Sequence, residues 1–182
     1  MQDIDKHIIA GLKDKNKRDL AFHQLVSTYQ ERLYWHIRKI VLNHDDTDDV
    51  LQNTFLKVWK SIDNFREESS LFTWLYRIAT NESITFINSK KKKSFMQMNE
   101  VSEFLMDNLE SDPYFEGDEI QLKLQKAILT LPEKQRIVFN MKYYDDLKYD
   151  DMAQILDTSV GALKASYHHA AKKIEHYLKS TD

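Results

Sequence analysis

Cysteine is absent from this 182-residue chain, glycine occurs three times and proline twice. Without cysteine there is no disulfide, no thiolate nucleophile and no zinc finger. Three glycines cannot supply the turns of an all-β sandwich or the phosphate-cradling loops of nucleotide-binding folds. Long apolar runs are missing as well. The N-terminal stretch MQDIDKHIIAGLKDKNKRDL offers neither a signal peptide nor a membrane-spanning helix, so a cytoplasmic protein is expected. What is present is 42% hydrophobic residues, enough for a packed interior. The length fits one domain or two small ones, and the composition an all-α chain.

A net charge of −3 argues at first against nucleic acid, but it is unevenly spread. Residues 1–93 carry +3, residues 94–120 carry −8 with no basic residue, and residues 121–182 carry +2. The acidic stretch contains Pro113 and Gly117 and lacks a sustained helical period, so residues 94–119 read as an acidic linker between blocks 1–93 and 120–182. It is either a solvated spacer or a segment that occupies a basic surface, and Phe104, Leu105, Met106, Tyr114 and Phe115 keep the second reading open.

In the first block, Phe22, Leu25, Val26, Tyr29, Leu33, Ile37, Ile40 and Val41 recur at helical spacing. A second helix follows His44, with Asp45, Asp46, Thr47, Asp48 and Asp49 as its cap region. Those carboxylates lack the glycine and distal glutamate of a calcium loop and suit a helix N-terminus. A metal-dependent hydrolase built on Asp45, Asp46, Asp48, Asp49 and nearby histidines is thus disfavoured, and neither metal nor cofactor is expected. A third helix is capped near Ser69 and Ser70 and runs to about Ile87; a short one lies near residues 3–12. Between the second and third, NFREESSLFTWLYRIATN interleaves Phe65, Phe72, Trp74 and Tyr76 with Arg66 and Arg77. Exposed rings beside cations suit single-stranded nucleic acid, where bases stack and cations track phosphates. The alternative is that Trp74 belongs to the core.

In the second block, Ile120, Leu124, Ala127, Ile128 and Leu131 form one face, and Pro132 opens a helix with Ile137, Val138 and Met141. A short helix from Asp150 to Leu156 then meets a break at Asp157 and Thr158. Ser159 is the cap candidate for a longer helix through Val160, Leu163, Tyr167, Ala170, Ile174 and Leu178. This is the pattern of a helix-turn-helix, with a plain helical hairpin as the alternative. Its exposed leading positions would be Ser159, Gly161, Ala162, Lys164, Ala165 and His168, with Lys172 and Lys173 near the DNA backbone. His168, His169 and His176 lack a partner at metal-ligand spacing and read as surface histidines.

Taken in order, TDDVLQNTFLKVWKSIDNFR, FREESSLFTWLYRIATN, LPEKQRIVFNMKYYDDLKYDDMAQIL and SVGALKASYHHAAKKI resemble a bacterial sigma factor of the sigma-70 family, extracytoplasmic-function group. The resemblance covers roughly residues 20–93 and 120–180. It implies two helical domains, region 2 and region 4, and a non-enzymatic subunit that binds core RNA polymerase and promoter DNA. A free-standing helix-turn-helix regulator is the rival. By the resemblance, Asp49, Gln52, Asn53 and Leu56 contact the polymerase clamp coiled coil, and region 4 the flap. Phe65, Arg66, Phe72, Trp74, Arg77 and Asn81, with Lys90 and Lys91, would bind and melt the −10 element. Ser159, Gly161, Ala162, Lys164, Ala165, His168 and Lys172 would read the −35 element. An anti-sigma factor, soluble or at the inner membrane face, is an implied partner.

Four departures from the family pattern matter. Asn53 stands where many relatives have Glu. Lys90–Lys93 is basic but free of arginine, so it offers point charges to phosphate rather than forks. Ala165, Tyr167, His168 and His169 fall where arginines are common, which reduces bidentate guanine readout and shifts weight to shape and phosphate contacts. Asp157 occupies a turn position often filled by glycine, which tolerates the left-handed conformation better.

Overall fold

The computed structural model describes residues 2–93, 106 and 119–180, and in these every regular element is helical. Helix α1 (Gln2–Lys13) packs on α2 (Arg18–Val41), which pairs with α3 (His44–Ser61). A 3-10 turn at Ile62–Asn64 leads to α4 (Leu71–Lys93), which lies against α2 and α3. The C-terminal block holds α5 (Glu119–Leu129), α6 (Glu133–Tyr143), α7 (Tyr149–Leu156) and α8 (Val160–Ser180). Apart from Met106, the acidic stretch at 94–118 lies outside the described residues.

Local chemistry accounts for the helix ends. Leu42 adopts a left-handed conformation (φ 68°) and donates its N–H to the Arg38 carbonyl, closing α2. That conformation is costly for a leucine, and burial of its side chain offsets the cost. The cap of α3 is Asn43, one residue before His44, not the aspartate run: its side chain accepts from the Asp46 N–H at 3.0 Å. Asp45 and Asp46 instead sit in the first turn, where the helix dipole favours them. Ser70 caps α4 by accepting from the Thr73 N–H at 3.1 Å. Helix α4 continues past Ile87 to Lys93, because lysine is a good helix former and cations favour a helix C-terminus. Where α1 crosses α2, a Cβ on Gly11 would lie 2.6 Å from the Ala21 Cβ, so only glycine permits that approach.

The two blocks are not held apart. One contiguous core takes Leu25, Tyr29, Leu33 and Ile37 from α2, Val50 and Val58 from α3, and Leu71, Leu75 and Ala79 from α4. It also takes Ile137, Val138 and Met141 from α6 and Met152 and Ile155 from α7. A second cluster, Ala127, Ile128, Leu131, Phe139, Ala170 and Ile174, holds α5, α6 and α8 together. The seam between the blocks runs where α7 rests on α4 and α6 touches α2.

Candidate nucleic-acid interface

On α3, Asp49, Gln52, Asn53 and Leu56 all face solvent. Their i, i+3, i+4, i+7 spacing makes one strip, opposite the buried Val50, Thr54 and Val58. Leu56 is 50% exposed, an apolar end to a polar strip that nothing among the described residues covers.

The second surface lies between the 3-10 turn and the start of α4. The Phe65 N–H bonds to the Ile62 carbonyl at 3.0 Å, turning the chain back over α4. Phe65 then meets Trp74, with ring centroids 4.9 Å apart and each residue only 7% exposed. Of the two readings of Trp74, the structure bears out the core one: the returning loop supplies its ring with a partner that helical periodicity cannot reveal. Phe65 is covered for the same reason. Phe72 points elsewhere again, tilted against Tyr76 with ring centroids 4.2 Å apart, beneath the Arg32 guanidinium.

Trp74 and Phe65 nevertheless line an open pocket of about 330 Å³, with Asn64, Arg66, Glu68, Ser69 and Arg77. Arg66 and Arg77 are exposed at its rim, and Asn81 is exposed one turn beyond Arg77. Asn64, Glu68 and Ser69 were absent from the residues expected here, although contiguity with Phe65 and Arg66 was signal enough to include them. The loop is braced from outside: Arg18 grips Asp63 with two bonds of 3.0 and 3.1 Å, and Lys13 pairs with Glu67, itself left-handed at φ 59°. Helix α1, through Lys13, and the first residue of α2, Arg18, thus help to position the pocket. Lys90, half-buried near the end of α4, is paired with Asp46 and lies over the Phe86 ring. Lys91 is in the last turn of α4, and its side chain lies outside the described residues.

The third surface is α8. Asp157 takes the left-handed conformation (φ 49°, ψ 52°) and its N–H closes α7 on the Ala153 carbonyl, so aspartate serves where glycine is common. Ser159 accepts from the Ala162 N–H at 3.3 Å, as its cap role requires. Ser159, Gly161, Ala162, Lys164, Ala165, His168 and Lys172 are all exposed, while Leu163, Ala170 and Ile174 face inward. Tyr167, which shares the stretch with His168, turns inward and stacks on Phe139 at 5.6 Å. A Cβ on Gly161 would meet nothing within 4 Å.

Electrostatically, burial lowers the Arg136 guanidinium from its ordinary value, with Glu133 opposing. Burial pushes Tyr76 up to about 12, helped by the charge on Asp145. Among the described residues no group of histidines and carboxylates is arranged to hold a metal ion.

Comparison with known proteins agrees with this layout. Residues 25–93 match the family model for sigma-70 region 2, and residues 121–174 that for sigma-70 region 4. The chain is 28% identical over 167 residues to the ECF RNA polymerase sigma factor SigW of Bacillus subtilis, covering 87% of this chain and 89% of the relative. It is 27% identical over 183 residues to the ECF RNA polymerase sigma-E factor of Haemophilus influenzae, covering 96% and 95%. Among solved structures, CnrH in complex with the cytosolic domain of CnrY superposes with a TM-score of 0.69 at 20% identity, over 98% of this chain and 99% of that one. The sigma factor RpoE of Bartonella quintana, bound to the anti-sigma factor NepR, gives 0.67 at 21% identity, over 87% and 96%. Those two likenesses speak for the fold. The region 2 and region 4 matches, in order and over most of the chain, with the pocket on the first and the helix-turn-helix on the second, place this protein in the sigma-70 family, among its extracytoplasmic-function sigma factors.

Proposed function

We propose that this chain is the promoter-specificity subunit of a bacterial RNA polymerase, with each of its three exposed surfaces serving a different contact. The strip Asp49, Gln52, Asn53 and Leu56 docks on the clamp coiled coil of core polymerase, and region 4 meets the flap. The pocket bounded by Arg66, Arg77, Phe65 and Trp74 receives a base extruded from the −10 element, with Asn81 reading beside it and Lys90 and Lys91 near the phosphates. Extruding a base costs a few kcal/mol, which a fitted pocket and flanking cations recover. The exposed leading turns of α8 read the −35 element in the major groove, with Lys164 and Lys172 on phosphate.

The observation that carries the reading is the coexistence on one chain of an exposed strip on α3, an open pocket with Arg66 and Arg77 at its rim, and an exposed helix entered through a tight turn. The subunit is non-enzymatic. It spends binding energy on strand separation, and bond formation belongs to the polymerase. Among the described residues no helix is long and apolar enough to cross a membrane, which suits a cytoplasmic site of action. An anti-sigma factor is the expected antagonist, as in the Bartonella complex.

In vitro transcription with core polymerase on a pool of randomised promoters tests this. Selected templates should share two elements about two and a half helical turns apart. Tight sequence-specific duplex binding by the lone protein, with no gain from core polymerase, would refute it in favour of a free-standing regulator.

A further inference from the structure

The loop that walls the pocket beside Trp74 is held from behind by two ion pairs. Its segment 63–67 contributes Asn64, Phe65 and Arg66 to the pocket, while Asp63 and Glu67, at the two ends, lie outside the lining. Asp63 accepts both bonds from the Arg18 fork, at 3.0 and 3.1 Å, and Glu67 pairs with Lys13. The Arg18 guanidinium is itself fixed from two further sides. It donates to the Trp59 carbonyl at 3.4 Å and lies over the Trp59 ring, 4.9 Å from its centroid. Lys13 belongs to a helix anchored independently of the loop. Ile8 and Leu12 of α1 are buried in the shared core, and the Tyr29 hydroxyl donates to Asp5 at 2.6 Å.

Packing alone leaves this corner open. Phe65 is buried, but Asp63, Asn64, Arg66, Glu67 and Glu68 around it are exposed. A cleft of about 140 Å³, lined by Ile9, Leu12, Lys13, Ile62, Asp63 and Phe65, separates α1 from the 3-10 turn, and the ion pairs bridge it. Glu67 adopts φ 59°, a conformation that a residue other than glycine keeps where its surroundings hold it. Exposed ion pairs contribute little to global stability, so the consequence of these two is confined to the loop. We propose that Arg18 and Lys13 are positioning residues for promoter opening: through Asp63 and Glu67 they hold the loop in the shape that receives an extruded base, so that capture carries no cost of ordering it. The opening role rests on the promoter-subunit reading; the brace itself does not.

The sign of the effect separates a brace from general electrostatics. Asp63→Asn and Glu67→Gln each remove a negative charge near the pocket, which by attraction to phosphate alone would favour DNA. A brace requires the opposite at the opening step. The assay uses the full-length chain with core polymerase on a selected promoter carrying 2-aminopurine in its −10 element. Fluorescence follows opening, and the concentration dependence of its rate gives initial binding. Both carboxylate variants should open promoters about tenfold more slowly, with initial binding within about twofold of the parent and an unchanged urea midpoint. Arg18→Gln should match Asp63→Asn, the double variant should be no slower than either, and Arg18→Lys should recover part of the loss. Lys17→Gln removes the neighbouring cation, which pairs with Asp14 and not with the loop, and should open promoters at the parent's rate. In the lone chain, amide hydrogen exchange at residues 64–69 should quicken in both carboxylate variants while exchange in α2 stays the same. Parental exchange at those residues overturns the brace, and opening as fast as the parent's overturns its role. Equal losses in initial binding, opening and urea midpoint also overturn the proposal, since the pairs would then support the whole fold. If the unmodified protein opens no template, the promoter reading and the opening role fail together, while the exchange rates still decide the brace.

Discussion

Trp74→Ala should destabilise the protein by about 3–5 kcal/mol, the usual cost of emptying a large aromatic site. The structure supplies the reasoning. Trp74 is 7% exposed and its ring lies 4.9 Å from Phe65. A buried aromatic covers about 200 Å², which at ~25 cal/mol per Å² is worth about 5 kcal/mol as an upper figure. The paired ring adds about 0.5–1.5 kcal/mol. Because one wall of the site is an open pocket, water can enter the vacated space, which draws the cost back toward the lower end. Urea unfolding followed by circular dichroism is the assay. With a slope of about 2 kcal/mol per molar, the midpoint should fall by roughly 1.5–2.5 M at constant slope. Trp74→Phe, which keeps a ring against Phe65, should lose less than half as much. A Trp74→Ala midpoint within about 0.5 M of the parent would mean that the ring contributes no packing, and the core placement would fail. Promoter opening by this variant should be read only at temperatures where it remains folded, since the same ring lines the proposed base pocket.

Other perturbations follow from the remaining surfaces. Gly161→Ala should leave the fold intact or stabilise it by up to about 1 kcal/mol, since alanine is the better helix former and the added Cβ meets nothing; thermal melting checks this, and a lower melting temperature contradicts it. The same substitution should weaken duplex binding if the DNA backbone approaches there, measured as the holoenzyme's affinity for its selected −35 sequence. Lys164→Ala should reduce −35 affinity and lower the salt slope by about 1, and an unchanged slope would remove Lys164 from the phosphate contacts. Burial alone would raise the Asp145 carboxyl, but His36 and Lys39 together hold it below the ordinary carboxylate range. Its contribution to the folded state is therefore complete above that range and is lost as pH falls through the depressed value. Stability read by urea unfolding should therefore fall more steeply from neutral to acid pH in the parent than in Asp145→Asn, and equal slopes would contradict this.

Much of the local structure was legible because helix signals are local. The apolar period of α2, the Ser70 and Ser159 caps and the break at Asp157 depend only on neighbours within a turn. Exposure of the α8 reading positions followed from the same period, since Leu163, Ala170 and Ile174 had to face inward. What was less legible shares a different cause. Trp74 looked spare to the helix because its partner, Phe65, arrives by way of a turn whose geometry is set by Arg18 and Lys13 on distant helices. Asn43 was passed over for an aspartate run whose charges suit the first turn as well as a cap. The docking of the two blocks was wholly illegible: Asp145 sits in a short charged turn that reads as solvated, and its partners lie more than a hundred residues away. The charge asymmetry along the chain separated the blocks correctly but carried no information about whether they touch.

A core drawn from both halves has a thermodynamic corollary for the open state. Separating α7 from α4 opens part of the shared core, to which α7 contributes Met152 and Ile155 and α4 contributes Leu71, Leu75 and Ala79. Whatever draws the halves apart must re-cover that apolar area or leave it in water. Burial of that area favours closure of the lone chain. Protease resistance of the seam then reads out how much of the protein keeps both halves folded against each other.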